Sequence, residues 1–239
     1  MSMISLCVPY YDDPERLHQF MLNECLDLFH EIIVVDDASQ KFPARPIVEE
    51  YPRDNFSLYR IHEDYGFNAH GARNLAASVA TGDWIFFIDI DNEPTPEFCQ
   101  NLFEHVSRTP ENNFVVCNIY GTDKGINFFC VRKTDFDKAG GYDEELRGHH
   151  IGDKLFRARL DTFCKPDLAG YILNCNRHGR KWIEDDSVKT AVYPDDFTII
   201  CPPMSRIQHA LDMIEERNKH PEQWVEIPKL NFDFSLELV

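Results

Sequence analysis

The run Trp84-Ile85-Phe86-Phe87-Ile88 ends in Asp89-Ile90-Asp91. Five apolar residues in a row suit a strand covered on both faces, and an extended chain sends residues i and i+2 to one side. Two carboxylates placed that way at a strand end can share a hard divalent cation, Mn2+ or Mg2+, with diphosphate oxygens. The same three residues also suit a solvated turn. Pro9-Tyr10-Tyr11-Asp12 and Asp36-Asp37-Ala38-Ser39 each follow another apolar run. In an open α/β sheet ligands bind beyond the carboxyl ends of the strands, although both tetrapeptides also read as turns with helix caps. Neither is glycine-rich, which disfavours a P-loop or a dinucleotide fingerprint. Arg73-Asn74 lies in a helix of small residues that follows the loop 62–68, where a ligand could lie. Arg73 is otherwise a snorkelling surface arginine.

Those side chains need strands and helices to hold them. Residues 4–8, 32–35, 56–61 and 84–88 read as strands and alternate with helical patterns, the signature of βα units and a mostly parallel sheet with helices on both faces. Asp13 caps a first helix with Pro14 at its first position; Leu17, Phe20, Met21, Cys25 and Leu28 give it one buried stripe. Ala69, Ala72, Leu75, Ala76 and Val79 mark the small-residue helix, which Gly82 is expected to end. Thr95 and Pro96 open another. Residues 114–119, 127–131 and 170–175 are expected as strands and 153–160 as a helix, and Ser205-Arg206-Ile207-Gln208 fits a capping box before a last helix to about residue 219. One fused domain over 1–220 is expected: a nucleotide-binding lobe (1–95), an acceptor lobe (96–204) and a C-terminal helix (205–220), with a tail over 221–239.

Composition narrows the partners. The chain of 239 residues, 43% hydrophobic, can bury one substantial core. Its formal charge of −17 disfavours a broad duplex-binding surface, which needs clustered cations; a small phosphate ligand can still bind through local donors or a bridging metal. The eight cysteines form no CxxC pair and several sit in apolar runs, so they read as buried, reduced thiols. Neither a signal peptide nor an apolar stretch of about 20 residues is found, so a cytoplasmic protein with no transmembrane segment is expected.

Taken in order, the motifs resemble the family 2 glycosyltransferases of GT-A fold. The matching text is Val8-Pro9-Tyr10-Tyr11, Val34-Val35-Asp36-Asp37-Ala38-Ser39, Gly66 with Ala72-Arg73-Asn74-Leu75-Ala76, and residues 81–91. Asn127-Phe128, Gly140-Gly141-Tyr142-Asp143-Glu144 and Gly152-Asp153-Lys154-Leu155 follow. The resemblance covers roughly residues 3 to 180 and implies a role for each motif. Pro9, Tyr10, Tyr11, Asp12 and Asp37 would line the nucleoside pocket. Arg73 would hold the base or the diphosphate; Asp89 and Ile90 would face the donor, with Asp89 and Asp91 on the metal. Gly141, Tyr142 and Asp143 would wall the acceptor side. Where many relatives carry a Glu-Asp pair this chain has Gly152-Asp153, which leaves Asp153 as the base. His178 would be a late metal ligand; its loop also reads as basic surface, or as Arg177, Arg180 and Lys181 closing over the diphosphate. A zinc site of Cys175 and His178 lacks two further ligands, and His149-His150 reads as a solvated or acceptor-facing loop.

The implied reaction is metal-dependent transfer of a sugar, from a nucleotide-sugar donor with a UDP-sugar as the first expectation, to an acceptor hydroxyl with inversion. The acceptor could be a glycan, a glycoconjugate or another hydroxyl, with nucleic acid disfavoured. Substitution of Asp37 or Arg73 is expected to weaken donor binding and to spare the fold. Two other classes stay open: a sugar nucleotidyltransferase, which the absence of a glycine-rich basic first loop disfavours, and a nucleotide- or glycan-binding module of the same fold that has lost catalysis.

Overall fold

Residue alternation splits the protein into two cores, one on each side of a central sheet. In β1 (Ile4–Tyr10), Ile4, Leu6, Val8 and Tyr10 enter one core and Cys7 the other. In β2 (Glu31–Asp36), Ile32 and Val34 part from Ile33 and Val35 in the same way. These strands are apolar on both faces because both faces are covered. The structure is a computed structural model and describes residues 2–66, 68–119, 129–146, 152–167, 172–173, 181–185, 188–192, 198–200, 212, 215–216, 219–220 and 229–239.

Along the chain, α1 (Pro14–Met21) joins β1 to β2, and α2 (Ala44–Val48) leads to β3 (Phe56–Ile61). Next come α3 (Ala69–Val79), β4 (Trp84–Phe87), α4 (Pro96–Arg108) and β5 (Asn113–Val116). The short β6 (Asn118–Ile119) precedes β7 (Phe129–Arg132), α5 (Lys133–Lys138), α6 (Gly152–Leu160) and β8 (Lys165–Asp167). Then follow β9 (Ile172–Leu173), β10 (Lys181–Asp185), β11 (Val188–Val192), β12 (Thr198–Ile200) and β13 (Phe234–Leu238). The main sheet runs β13-β3-β2-β1-β4-β7-β5-β8; β6 pairs with β9, and β10, β11 and β12 form a small antiparallel sheet. β3, β2, β1 and β4 are parallel neighbours, as are β5 and β8, while β7 and β13 run antiparallel to theirs. This is the expected α/β architecture, a largely parallel sheet with helices on both faces.

One face of the sheet carries α1, α2 and α4 through Leu17, Phe20, Ile47, Phe98 and Leu102. The other carries α3, α5 and α6 through Ala72, Leu75, Phe136, Phe156 and Leu160. α3 is buried from Ala69 to Ala77 without a break. Its small side chains follow from that: the helix lies between the sheet and a further layer of loops, and bulk on any face would push one of them away. Gly71 is the tightest point, where a Cβ would fall 2.8 Å from the Phe232 ring of the C-terminal segment. Asn68 caps the helix, its side chain accepting from the Gly71 amide at 3.2 Å, an arrangement worth about 1 kcal/mol.

Several expected elements change shape. The stripe of the first helix stops at Met21: Asn23 accepts from the Cys25 amide and starts a separate 3-10 turn, Glu24–Leu28, in which Leu28 is exposed. Gly82 does not end α3, whose cap is Ala80; it is needed because a Cβ there would lie 2.6 Å from Ser5 Oγ and 2.9 Å from Met3 O. The expected strand over 114–119 breaks at Cys117, and β6 leaves the main sheet to pair with β9. Residues 234–238, within the stretch read as a tail, form the edge strand β13 beside β3. Asn127, Phe128 and most of the expected helix 205–219 lie outside the described residues. Cys7, Cys25, Cys99, Cys117, Cys130 and Cys164 are free and buried. Among the described residues no helix is long and apolar enough to cross a membrane.

Candidate active site

The carboxyl ends of β1, β2, β3 and β4 leave the sheet at one edge. Tyr10 lies beside Asp36 and Asp36 beside Arg60, and the Asp37 amide continues the ladder to Tyr10 O at 2.9 Å. Asp36 is wholly buried and holds this edge together. Its Oδ1 accepts from the Ser39 amide at 2.8 Å, and its Oδ2 from the Ala44 amide at 2.9 Å and Arg60 Nη1 at 3.0 Å. Asp12 does the same for the next turn, accepting from the amides of Lys41 at 3.0 Å and Phe42 at 2.6 Å. The buried Tyr10 hydroxyl donates to Phe42 O at 2.6 Å. Within this frame Ala38 is held at φ 58° and Asp12 at φ 44°. A left-handed alanine costs of order 1–3 kcal/mol and persists where its surroundings over-determine it.

Asp37 points differently. It is 2% exposed; Oδ2 accepts from the Asn68 amide at 2.8 Å, while Oδ1 is buried without a hydrogen-bond partner. Desolvation pushes its carboxyl up to about 8 against that amide bond, and Asp36 and Asp64 add to the rise. Tyr11 stands at the rim, its hydroxyl 3.3 Å from both Asp64 oxygens. A folded value above the ordinary 3.8 means that the stability tied to Asp37 is full below 3.8 and is lost as pH rises through about 8. Asp37→Asn cannot ionise, so its melting temperature should gain on the parent's from about pH 5 to about pH 8. Thermal unfolding of both proteins across that range checks this, and a difference that does not change with pH would count against it.

Arg73 joins the two chemically suggestive carboxylates. Its Nη2 donates to Asp89 Oδ1 at 2.5 Å and its Nη1 to Asp153 Oδ1 at 2.7 Å. The guanidinium is 3% exposed and sits 5.5 Å from the centre of the Tyr142 ring. Burial pulls its pKa down, but Asp153 and Asp89 more than offset this, so it stays charged. The Asp153 carboxyl is raised by desolvation and pulled back by Arg73. Asp89 therefore meets, on one cation, an acid from the first turn of α6. Asp91 is nearly buried and accepts from Asn92 Nδ2 at 2.6 Å. Ile90 packs its side chain into the core.

The glycine pair after α5 forms the next wall. Gly140 and Gly141 take φ 77° and 64°, and the Gly141 amide bonds back to Phe136 O at 3.2 Å; left-handed backbone of this kind ends helices and favours glycine. Tyr142 follows, wholly buried, with its main chain gripped by Asn74: Asn74 Oδ1 accepts from Tyr142 N at 2.8 Å and Nδ2 donates to Tyr142 O at 2.9 Å. Asp143 Oδ1 accepts from the Glu145 amide at 3.0 Å. Glu144 Oε1 accepts from Asn74 Nδ2 at 2.8 Å and Leu230 N at 2.9 Å, which ties the C-terminal segment to α3.

The structure thus gathers Arg73, Asp89 and Asp153 at one point, with Tyr142 beside them, and sets Asp37 over the N-cap of α3. Pro9, Tyr10 and Asp12 belong to the frame of the β1 edge. The change for Arg73 is the largest: it is a buried bridge and not a snorkelling surface side chain, because two acids and an aromatic ring enclose it. Asn74 and Glu144 were not legible as clamps, although Asn74 directly follows Arg73. His178, His149, His150, Cys175, Arg177 and Arg180 lie outside the described residues.

Comparison with known proteins gives the family and the fold. The family model described as Glycosyl transferase family 2 matches residues 5–176. An uncharacterized glycosyltransferase of Haemophilus influenzae is 29% identical over 202 residues, which span 72% of this chain and 66% of that protein. The putative glycosyltransferase EpsH of Bacillus subtilis is 29% identical over 165 residues, 67% of this chain and 44% of its own. The chain therefore spans two thirds or less of these curated relatives. Among solved structures, a mannosyltransferase of Pyrobaculum calidifontis in complex with GDP-Man and Mn2+ superposes with a TM-score of 0.55 at 19% identity, over 69% of this chain and 54% of that one. S. aureus TarS 1-349 does so with a TM-score of 0.54 at 18% identity, over 66% and 55%. At such identities the two structures show the shared fold.

Proposed function

Because the chain belongs to glycosyl transferase family 2, we propose that it transfers a sugar from a nucleotide-sugar donor to an acceptor hydroxyl, with inversion at the anomeric carbon and in dependence on Mn2+ or Mg2+. The observation that carries the proposal is the bridge from Arg73 to Asp89 and Asp153, at 2.5 and 2.7 Å. It puts an acid from a strand end and an acid from a helix start on either side of one buried cation.

Asp153 acts as the general base. Its carboxylate takes the proton of the acceptor hydroxyl as the oxygen attacks the anomeric carbon. Desolvation raises its affinity for that proton, while Arg73 keeps the carboxylate charged and aimed. Asp37 Oδ1 is buried without a hydrogen-bond partner, and a nucleobase ring N–H would satisfy it once the carboxyl is ionised, which that hydrogen bond favours. Uracil and guanine both carry such a group, so UDP-sugars and GDP-sugars are the first donors to test. Gly141, Tyr142 and Asp143 bound the acceptor side. Pro9, Tyr10, Tyr11 and Asp12 shape the nucleoside side, largely through the loop that Asp12 pins.

The residues at the end of β4 fit a hard cation. Asp89 and Asp91 offer only oxygen, and the Asp89 side chain keeps 31% of its surface. Among the described residues no third His, Cys, Asp or Glu completes a metal cluster with them, so donor oxygens and water would fill the remaining positions, with His178 as a further candidate ligand. The cation, when bound, would supply charge neutralisation of the departing nucleoside diphosphate. Asp91→Ala should abolish the Mn2+-dependent gain in UDP or GDP affinity, by about 10-fold or more if one charged ligand is lost. Calorimetry with and without chelator reads this directly. Equal affinity in both for the parent protein would sink the metal assignment.

A further inference from the structure

α3 grips two consecutive residues of α6. Arg73 bonds the Asp153 carboxylate at 2.7 Å. One turn earlier on the same helix, at the i, i+3 spacing that makes residues neighbours, His70 lies against Gly152. A Cβ at position 152 would fall 2.5 Å from Cε1 and 2.6 Å from Cδ2 of the imidazole, and nearer still to Nε2. No side chain fits there while the ring keeps its place. The ring is firmly lodged: His70 is 1% exposed and stacks on Tyr142, with centroids 5.6 Å apart and planes at 26°. Tyr142 stacks in turn on Phe156 of α6, at 4.7 Å and 21°. The imidazole is thus wedged between the first residue of α6 and an aromatic column that returns to the same helix.

We propose that His70 is a positioning residue for Asp153: its ring sets the height of the first turn of α6 above α3, and the glycine at 152 is its steric complement. This rests on the reading of Asp153 as the base of sugar transfer, and adds to it the device that places that base. Arg73 restrains one carboxylate oxygen. It leaves the main chain of the turn free to rise or tilt, and the ring against Gly152 removes that freedom. Placement matters because a shift of about 1 Å at a reacting group can cost about 10²-fold in rate.

The test is a double-mutant cycle of Gly152→Ala, His70→Ala and the pair together. The readout is nucleoside diphosphate release from UDP-glucose, UDP-N-acetylglucosamine and GDP-mannose with Mn2+, alongside thermal unfolding. Gly152→Ala should lower kcat by about 10²-fold with donor KM within about 2-fold, because the base moves while the donor pocket does not. His70→Ala frees the turn and should itself lower kcat by about 10-fold at unchanged donor KM; in that background the alanine at position 152 has room, so the double variant should match His70→Ala and recover about 10-fold over Gly152→Ala. A purely structural contact would lower the melting temperature without splitting kcat from KM. Losses that simply multiply in the double variant, or a Gly152→Ala enzyme with parental kcat, would overturn the proposal. If the parent turns over none of the three donors, that failure bears on the glycosyl-transfer reading and not on the wedge. The cycle in melting temperature then still decides the steric pairing: coupled shifts support it and additive shifts overturn it.

Discussion

Asp153→Asn should lower the rate of sugar transfer by about 10²–10⁴-fold while donor binding and the fold persist. The amide has nearly the shape of the carboxylate and its oxygen can still accept from Arg73, but it cannot take a proton at neutral pH. The loss belongs in kcat and kcat/KM together, since a base contributes only as the proton moves. Two nearby acids are the natural competitors. Glu144 is spent on Asn74 Nδ2 and on the amides of Leu230 and Asn231, so it serves the fold. Asp143 has one oxygen on the Glu145 amide and is 1% exposed, whereas Asp153 is the acid that Arg73 pairs with Asp89. Asp143→Asn should therefore cost less than Asp153→Asn. Parental transfer rates in Asp153→Asn with an inactive Asp143→Asn would move the base to the loop after Gly141. Single-turnover measurements with saturating donor separate the two cases.

Arg73→Ala should cost about 3–5 kcal/mol of stability, the usual penalty for stranding one partner of a buried ion pair. Asp153 is 5% exposed and would lose the charge that compensates its burial; Asp89 keeps access to water and suffers less. A loss of that size is a large fraction of what a domain has, about 5–15 kcal/mol. It departs from the expectation that the substitution would touch only donor binding. The sign with pH follows from the stranded acid: protonation relieves the buried charge, so the deficit should shrink as pH falls. Arg73→Lys keeps a charge but cannot fork to two carboxylates, and should fall between the two. Denaturant unfolding at neutral and mildly acidic pH checks both statements. A loss below about 1 kcal/mol, the scale of an exposed pair, would mean that the bridge is not buried in solution.

How much was legible in the sequence depended on the range of the interaction. The strands β1, β2 and β4 declared themselves because doubly covered strands leave unbroken apolar runs, and Thr95 and Asp13 marked their helices because a cap acts within three residues. The stripe through Cys25 and Leu28 misled because apolar spacing continued across Asn23, where the side chain had already started a new turn. Gly82 resembled a helix stop, yet its reason lies in the close approach of Ser5, far away along the chain. The acidic tetrapeptides were found as a group, but sorting them required contacts: Asp36 and Asp12 bind main-chain amides, while Asp37 keeps a bare oxygen. The bridge through Arg73 and the wedge of His70 on Gly152 join α3 to α6, and no local pattern encodes such a meeting. Residues 230–232, which bond Glu144 and cover Gly71, carry no periodicity that could have announced them.

The most direct test of the account is turnover. The chain, incubated with Mn2+ and a panel of UDP- and GDP-sugars, should release nucleoside diphosphate from at least one donor, slowly to water and faster once a hydroxyl acceptor is supplied. Chelation should suppress the release, and Asp153→Asn should abolish the acceptor-dependent part while still binding the nucleotide. Nucleotide binding without release from any donor, in the presence of glycan and simple sugar acceptors alike, would contradict it and leave a binding module on a glycosyltransferase fold.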